Sequence, residues 1–196
     1  KHKQSRREGV NLTGTRSRSL ERRLNVQPGG RRRMPQRRMS EYGRQLREKQ
    51  KLKRYFGMLE KQFRRTFEQA QRSSEPTGEA LVKLLESRLD NVVYRLGFTP
   101  TRPMARQIVN HGHVLVNDQR VNIPSYRIKP GDTIKLRPKA QEIPSVIEAL
   151  EDSGSLVPTW LTREGNNAQG RVLSEPVPEE LGIPVDVDQI IAFYAR

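Results

Sequence analysis

Cysteine is absent from this chain, which excludes disulfides, thiol nucleophiles and cysteine-based metal sites. Histidine is almost as scarce. Of the three present, His111 and His113 stand two residues apart across a helix end, with no acid or third imidazole at ligand spacing, so neither a metal nor a cofactor is expected. Hydrophobic residues make up 33% and aromatic residues 6% of 196 residues, which keeps any core small for that length. No apolar run approaches the roughly eighteen residues of a membrane helix, and no hydrophobic segment lies near the start. Neither membrane insertion nor secretion is expected. A Gly-rich phosphate loop followed by Lys and Ser or Thr is missing, as are a metal triad and a Ser/His/Asp set with recognisable flanks. No catalytic residue is therefore assigned, and neither enzymatic activity nor a small-molecule substrate is expected.

Acids are scarce in the first two-thirds of the chain and bases in the last third. Residues 1–72 hold 23 Lys plus Arg against 6 acids, residues 83–139 hold 11 against 4, and residues 140–196 hold 3 against 10, within a net charge of +15. A polyanion is drawn to the first two zones and repelled by the last, whose acids are expected to face solvent or a basic protein. Charge alone does not separate RNA from DNA, but no helix-turn-helix, ribbon or zinc-finger pattern appears.

Residues 1–39 read as a basic arm with almost no apolar periodicity. Within it, "PGGRRRMPQRRM" sets Arg31, Arg32, Arg33, Arg37 and Arg38 between prolines and glycines. That stretch buries too little apolar surface to offset its chain entropy, so it is expected to stay flexible until phosphates neutralise it. Residues 40–71 read as helix capped by Ser40. Leu52, Phe56, Leu59, Phe63, Phe67 and Ala70 recur at steps of three and four and form one apolar stripe, with the aromatics in the core rather than stacking on bases. Gly57 separates two helices or kinks one. The remaining faces carry Arg44, Arg47, Lys49, Lys51, Lys53, Arg54, Lys61, Arg64, Arg65 and Arg72. So many like charges repel one another unless an anion lies alongside.

A further helix is predicted from Thr77, a candidate N-cap, to Gly97, with Leu81, Leu84, Leu85, Leu89, Val92, Val93 and Leu96 as a single buried stripe. The next runs from Thr101, with Pro103 in its first turn, to Gly112; Met104, Ala105, Ile108 and Val109 form its apolar face, and Arg102, Arg106 and Asn110 line the opposite side. Val114 and Val116, the Asn117-Asp118 turn, then Val121 and Ile123 alternate as a hairpin. Pro130-Gly131-Asp132 turns into a strand with Ile134 and Leu136. Residues 140–196 carry Pro144, Pro158, Pro176, Pro178 and Pro184 and read as loop-rich, with Trp160 as a core anchor and a short apolar segment, "VDVDQIIAFYAR", at the end. The fold class is α+β.

The motifs "RLDNVVYRLGF", "TR-x-x-AR", "V-x-VN" and "Y-x-I-x-PGD-x-I" resemble the small RNA-binding domain of the ribosomal protein S-four family. "SRREGVNL", "SEYGRQLREKQKLKRYFGMLEKQFRRTF", "TGEALVKLLESRLDNVVYRLGF" and "PTWL" extend the resemblance to the bacterial-type ribosomal members from about Ser5 onward. The resemblance implies a helical N-terminal domain with a basic arm (1–39, then 40–86). It also implies a module of two helices on a small, mostly antiparallel sheet (87–170), and a tail (171–196) that packs back on the helices.

For function, the resemblance implies a structural constituent of the small ribosomal subunit in the cytoplasm, or in an organelle. Such a protein is a primary binder of 16S-type rRNA, organising a helix junction in the 5′ domain early in 30S assembly. It lies where mRNA enters, near ribosomal proteins S-three and S-five, and influences translational accuracy. The rRNA-binding residues so implied are the ten basic residues of 40–72 above, with Arg6, Arg7, Arg88, Arg95, Arg102, Arg106, His111, His113, Asn117, Arg120 and Lys129. Arg31, Arg32, Arg33, Arg37 and Arg38 are the candidates for mRNA. The resemblance also implies a few residues ahead of Lys1. Some members carry a four-cysteine zinc site in their first forty residues. Ser5 stands at the first of those positions here, so this is the zinc-free form, whose arm is expected to be ordered by RNA. The family's Pro-Gly-Gln-His-Gly turn reads Pro28-Gly29-Gly30-Arg31. The alternative is a non-ribosomal RNA-binding protein or a fragment of an RNA-modifying enzyme, although pseudouridine synthases need a separate catalytic domain bearing an Asp.

Overall fold

The computed structural model describes residues 2–29, 39–152, 157–164, 168–180, 182 and 184–195. The arginine run at 31–38 lies outside the described residues. The chain divides into two compact units, Lys1–Arg65 with Ile183–Arg196, and Thr66–Gly182.

The first unit begins with two short helices, α1 (His2–Glu8) and α2 (Arg18–Glu21). Short polar side chains close the turns between them. The Ser5 hydroxyl accepts a hydrogen bond from the Leu12 amide at 3.3 Å, and the Asn11 side chain accepts one from the Gly14 amide at 3.1 Å. Leu12 and Leu20 are buried, and the Arg6 guanidinium donates to the Val26 carbonyl at 2.9 Å. Residues 2–29 thus make contacts of their own, whereas the arginine run expected to stay flexible until phosphates neutralise it is among the residues not described. Two leucines and a few satisfied turn amides were too sparse a pattern to register as periodicity.

Ser40 caps α3 (Glu41–Tyr55), its hydroxyl accepting from the Gly43 amide at 3.2 Å. Gly57, at φ +60°, ends that helix in the left-handed conformation, and α4 (Glu60–Gln71) follows. The break turns Leu59 out to 71% exposure while Met58 is buried, so Leu59 does not belong to the predicted stripe. Phe56 and Phe63 are core residues, as the spacing predicts. A tail helix (Val187–Tyr194) lies against α3. Its Phe193 ring sits 5.7 Å from that of Tyr42, and Tyr194 stacks on Phe63 at 6.4 Å. Lys51 donates to the Pro184 carbonyl, and Glu48 accepts from the Asp186 amide.

In the second unit the single helix predicted from Thr77 to Gly97 is two, α5 (Thr77–Glu86) and α6 (Leu89–Arg95). Thr77 is the first helical residue, and Pro76 holds the cap position without a side-chain bond. The interruption comes from strand-like pairing: Arg88 is extended and bridges Arg127, with the Leu89 amide donating to Tyr126 at 2.8 Å and the Ile128 amide to Ser87 at 3.0 Å. Leu85 and Leu89, four positions apart on either side of the break, are both fully buried, so the apolar period runs unbroken through the gap. Gly97 and Gly112, both at positive φ, close α6 and α7 (Arg102–Asn110).

Strands β1 (Val114–Val116) and β2 (Gln119–Val121) are joined by Asn117 and Asp118 at φ +51° and +63°, the paired left-handed residues of a two-residue hairpin. Ile123 lies beyond β2 and is exposed, not part of the strand. After β3 (Thr133–Leu136), the zone read as loop-rich holds α8 (Pro138–Gln141), α9 (Pro144–Glu151), β4 (Leu161–Arg163) and β5 (Gln169–Val172). The sheet order is β2-β1-β3-β5-β4, and every pairing is antiparallel. Val114, Val116, Ile134 and Leu136 share a core with Leu89, Val92, Leu96, Phe98 and Trp160, each large side chain adding about 1.5–3 kcal/mol by leaving water.

Candidate nucleic-acid interface

Several bases that the sequence assigns to RNA in the first unit are held by acids of the same unit. Lys49 is buried, with its ammonium 2.6 Å from one oxygen of Glu60 and 4.8 Å from the Phe193 ring centroid. Lys53 lies 2.7 Å from the other oxygen of Glu60, and Lys51 lies 2.7 Å from Glu48. Burial pushes the Glu60 carboxyl up, but the hydrogen bonds and charges of Lys49 and Lys53 overcome it and bring its pKa down to about 2. Glu8 accepts from Arg54 and sits 3.9 Å from Arg47. By contrast, Arg7, Arg44, Lys61 and Arg65 are exposed with no acid partner among the described residues. Arg64 is also exposed.

In the second unit the same sorting is sharper. Arg88, only 5% exposed, is gripped by both oxygens of Asp90 at 3.0 and 2.8 Å. Arg95 is gripped by Glu86 at 3.0 and 2.8 Å. Arg102, 9% exposed, lies over the Tyr94 ring at 4.2 Å and reaches Asn91 at 3.3 Å. Arg106 is 3.7 Å from Asp90. Asn117 is occupied by the Asp132 carboxylate at 2.8 Å and the Thr133 amide at 2.9 Å, which tie the hairpin to β3. Arg72 and Lys129 are exposed, and their side chains have no acid partner among the described residues.

A cationic cluster forms where α7 meets the hairpin. Arg120 donates to the His111 carbonyl at 3.4 Å, Arg137 donates to the Gly112 carbonyl at 3.5 Å, and the His111 and His113 rings lie 6.1 Å apart. His113 is held below its ordinary pKa by burial first, and then by the charges of His111, Arg137, Arg120 and Lys139. Its Nδ1 is buried without a hydrogen-bond partner among the described residues. Sequence reasoning left Arg137 and Lys139 out of the site because they follow β3 instead of flanking a motif. It also left out Arg127, a half-buried guanidinium that donates to Gln69 at 2.9 Å, and exposed Arg18, Arg22 and Arg23 around α2. The density of arginine between positions 16 and 23 was the available signal for the last group.

A basic helical unit, together with a module of helices on an antiparallel sheet that carries a cluster of cations where α7 meets the hairpin, defines an RNA-binding protein. Residues 87–134 match the family described as "S4 domain", and residues 1–86 match "Ribosomal protein S4/S9 N-terminal domain". The chain is 47% identical to small ribosomal subunit protein uS4 of Brevibacillus brevis, over all of this chain and 96% of the relative. It is 48% identical to the proteins of that name from Petrotoga mobilis, over 99% of this chain and 96% of the relative, and from Aquifex aeolicus, over 99% and 95%. This chain belongs to the ribosomal protein uS4 family.

Proposed function

We propose that this chain is a structural constituent of the small ribosomal subunit. It binds 16S-type rRNA directly, bridging phosphates of several RNA helices at a junction in the 5′ domain and fixing their angles for later proteins. Family membership supports the subunit assignment and its cytoplasmic setting. The observation that carries the mechanism is the set of exposed cations whose side chains have no acid partner among the described residues, Arg7, Arg44, Lys61, Arg65, Arg72 and Lys129. Phosphates neutralise such charges and release counterions. The functional divisions are the arm 1–39, the helical region 40–86 with the tail 171–196, and the module 87–170, whereas compactness alone puts residues 66–86 and 171–182 with the module, β5 running across the boundary at 170. The acidic segment 140–196 suits basic neighbours such as proteins S-three and S-five, and the arginine run at 31–38 suits incoming mRNA, through which the chain influences accuracy.

The test is the salt dependence of binding to 5′-domain RNA. The log of affinity falls with log salt by about 0.7–0.9 per neutralised phosphate. Replacing Arg44, Lys61 and Arg65 together by Gln should flatten the slope by about 2–3 units. A slope near zero for the unaltered chain overturns the phosphate mechanism.

A further inference from the structure

The second unit contains a cleft of about 500 Å³ between the last turn of α4, α5, and the segments at 128–130 and 172–176. Small-ligand sites typically run to roughly 300–1,000 Å³. Its floor is apolar, made by Leu84, Ile128, Val172 and the otherwise buried Trp160. Its rim carries Arg72 and Lys129, whose side chains have no acid partner among the described residues. Lys83 spans the cleft, bonded to Glu75 at 2.9 Å and Glu175 at 3.0 Å. That bridge places two carboxylates along the wall, each with lone pairs left to accept further hydrogen bonds.

We propose that this cleft takes a nucleoside phosphate, with the base against the apolar floor and the phosphate at Arg72 and Lys129. A flat, largely apolar ring with polar edges matches the floor and wall, and an attached anion matches the rim. Glu75 and Glu175 accept from exocyclic amines, so guanine, adenine and cytosine fit better than uracil, which has none. The nucleotide comes either from an unstacked position in rRNA or from solution as a free mononucleotide. The proposal goes beyond the rRNA-binding reading, which needs only backbone phosphates.

Trp160 is the only tryptophan in the chain, so its emission reports directly on the cleft. The full chain would be titrated separately with GMP, AMP, CMP, UMP and inorganic phosphate, and then with 5′-domain rRNA. A saturable change with the three amino-bearing nucleotides, weaker with UMP and absent with phosphate, supports a free nucleotide. Arg72→Gln or Lys129→Gln should then weaken it about tenfold, the effect of one lost charge-assisted contact. Silence with mononucleotides but a change with rRNA supports an rRNA nucleotide when Ala80→Leu, at a position lining the cleft, removes the change and weakens rRNA binding about tenfold with its salt slope intact. A change that survives Ala80→Leu overturns the site. Trp160 emission unmoved by both classes of probe, with rRNA binding intact, overturns the nucleotide site and leaves the rRNA-binding reading standing.

Discussion

Two lysines reach one carboxylate in the first unit, Lys49 from a buried position and Lys53 from a partly buried one. Against the upward push of burial, they hold Glu60 at a pKa of about 2, below its ordinary 4.5. A depressed carboxylate stabilises the fold above its unfolded pKa and loses that contribution as pH falls through the folded one. The stability difference between the unaltered chain and Glu60→Gln, measured by urea unfolding, should therefore be constant above about pH 5 and close between pH 4.5 and 2. At neutral pH it should be about 1 kcal/mol, because the Glu60 side chain is 47% exposed and solvent screens the pair. Arg88 is the opposite case. Its ion pair with Asp90 is buried on both sides, so Arg88→Gln should cost about 3 kcal/mol in thermal or urea unfolding while leaving the salt slope of rRNA binding unchanged. Nothing in the sequence separated Arg88 from Arg72. Each is an arginine close to acids, and burial of the first depends on the bridge to Arg127, thirty-nine positions away.

At the scale of elements, what could be read from the sequence was what neighbouring residues decide. Ser40, Gly57, Gly97, Gly112 and the Asn117-Asp118 pair each fix a start or a turn through their own backbone preferences, and the structure places all of them as such. The split between α5 and α6 was hidden because Leu85 and Leu89 keep the helical period across it. Strands β4 and β5 were hidden because they are short and rich in Gly, Thr and Arg; their partners lie in β3 and in each other. Of the candidate site, the basic character was legible, but the division into bridged and free cations was not. Gly170 shows how closely the late strands pack. A Cβ there would stand 2.6 Å from a Leu96 methyl and 2.8 Å from the Thr162 carbonyl oxygen. The methyl can yield, but the backbone oxygen of the neighbouring strand cannot without shifting β4. Gly170→Ala should therefore destabilise the second unit by about 1–3 kcal/mol, seen as faster hydrogen exchange in β4 and β5.

For the whole molecule, the charge asymmetry of the sequence draws a polyanion to the first two-thirds of the chain and away from the last third. The arginines at 31, 32, 33, 37 and 38 form the densest basic run, and guanidinium groups hold single strands through phosphates without reading sequence. Changing all five to Gln should leave subunit assembly nearly intact and slow translation through stable messenger hairpins, measured by ribosome transit on hairpin-bearing reporters. An assembly defect equal to that of the Arg44, Lys61 and Arg65 replacement, with no hairpin-specific delay, would assign the run to rRNA instead. The seat of the tail helix has a consequence for biosynthesis. Tyr194 closes on Glu60 across 134 positions, so at about 5–20 residues per second the helix leaves the translating ribosome roughly ten seconds after the surface it covers. Residues 66–182, which make up the whole second unit, have all been translated by then. The first unit to begin emerging is therefore the last to close. A nascent chain that stalls before Val187 leaves the α3 surface beneath the tail helix bare, with the rings of Tyr42 and Phe63 missing their partners, a form suited to removal by proteolysis before it reaches a subunit.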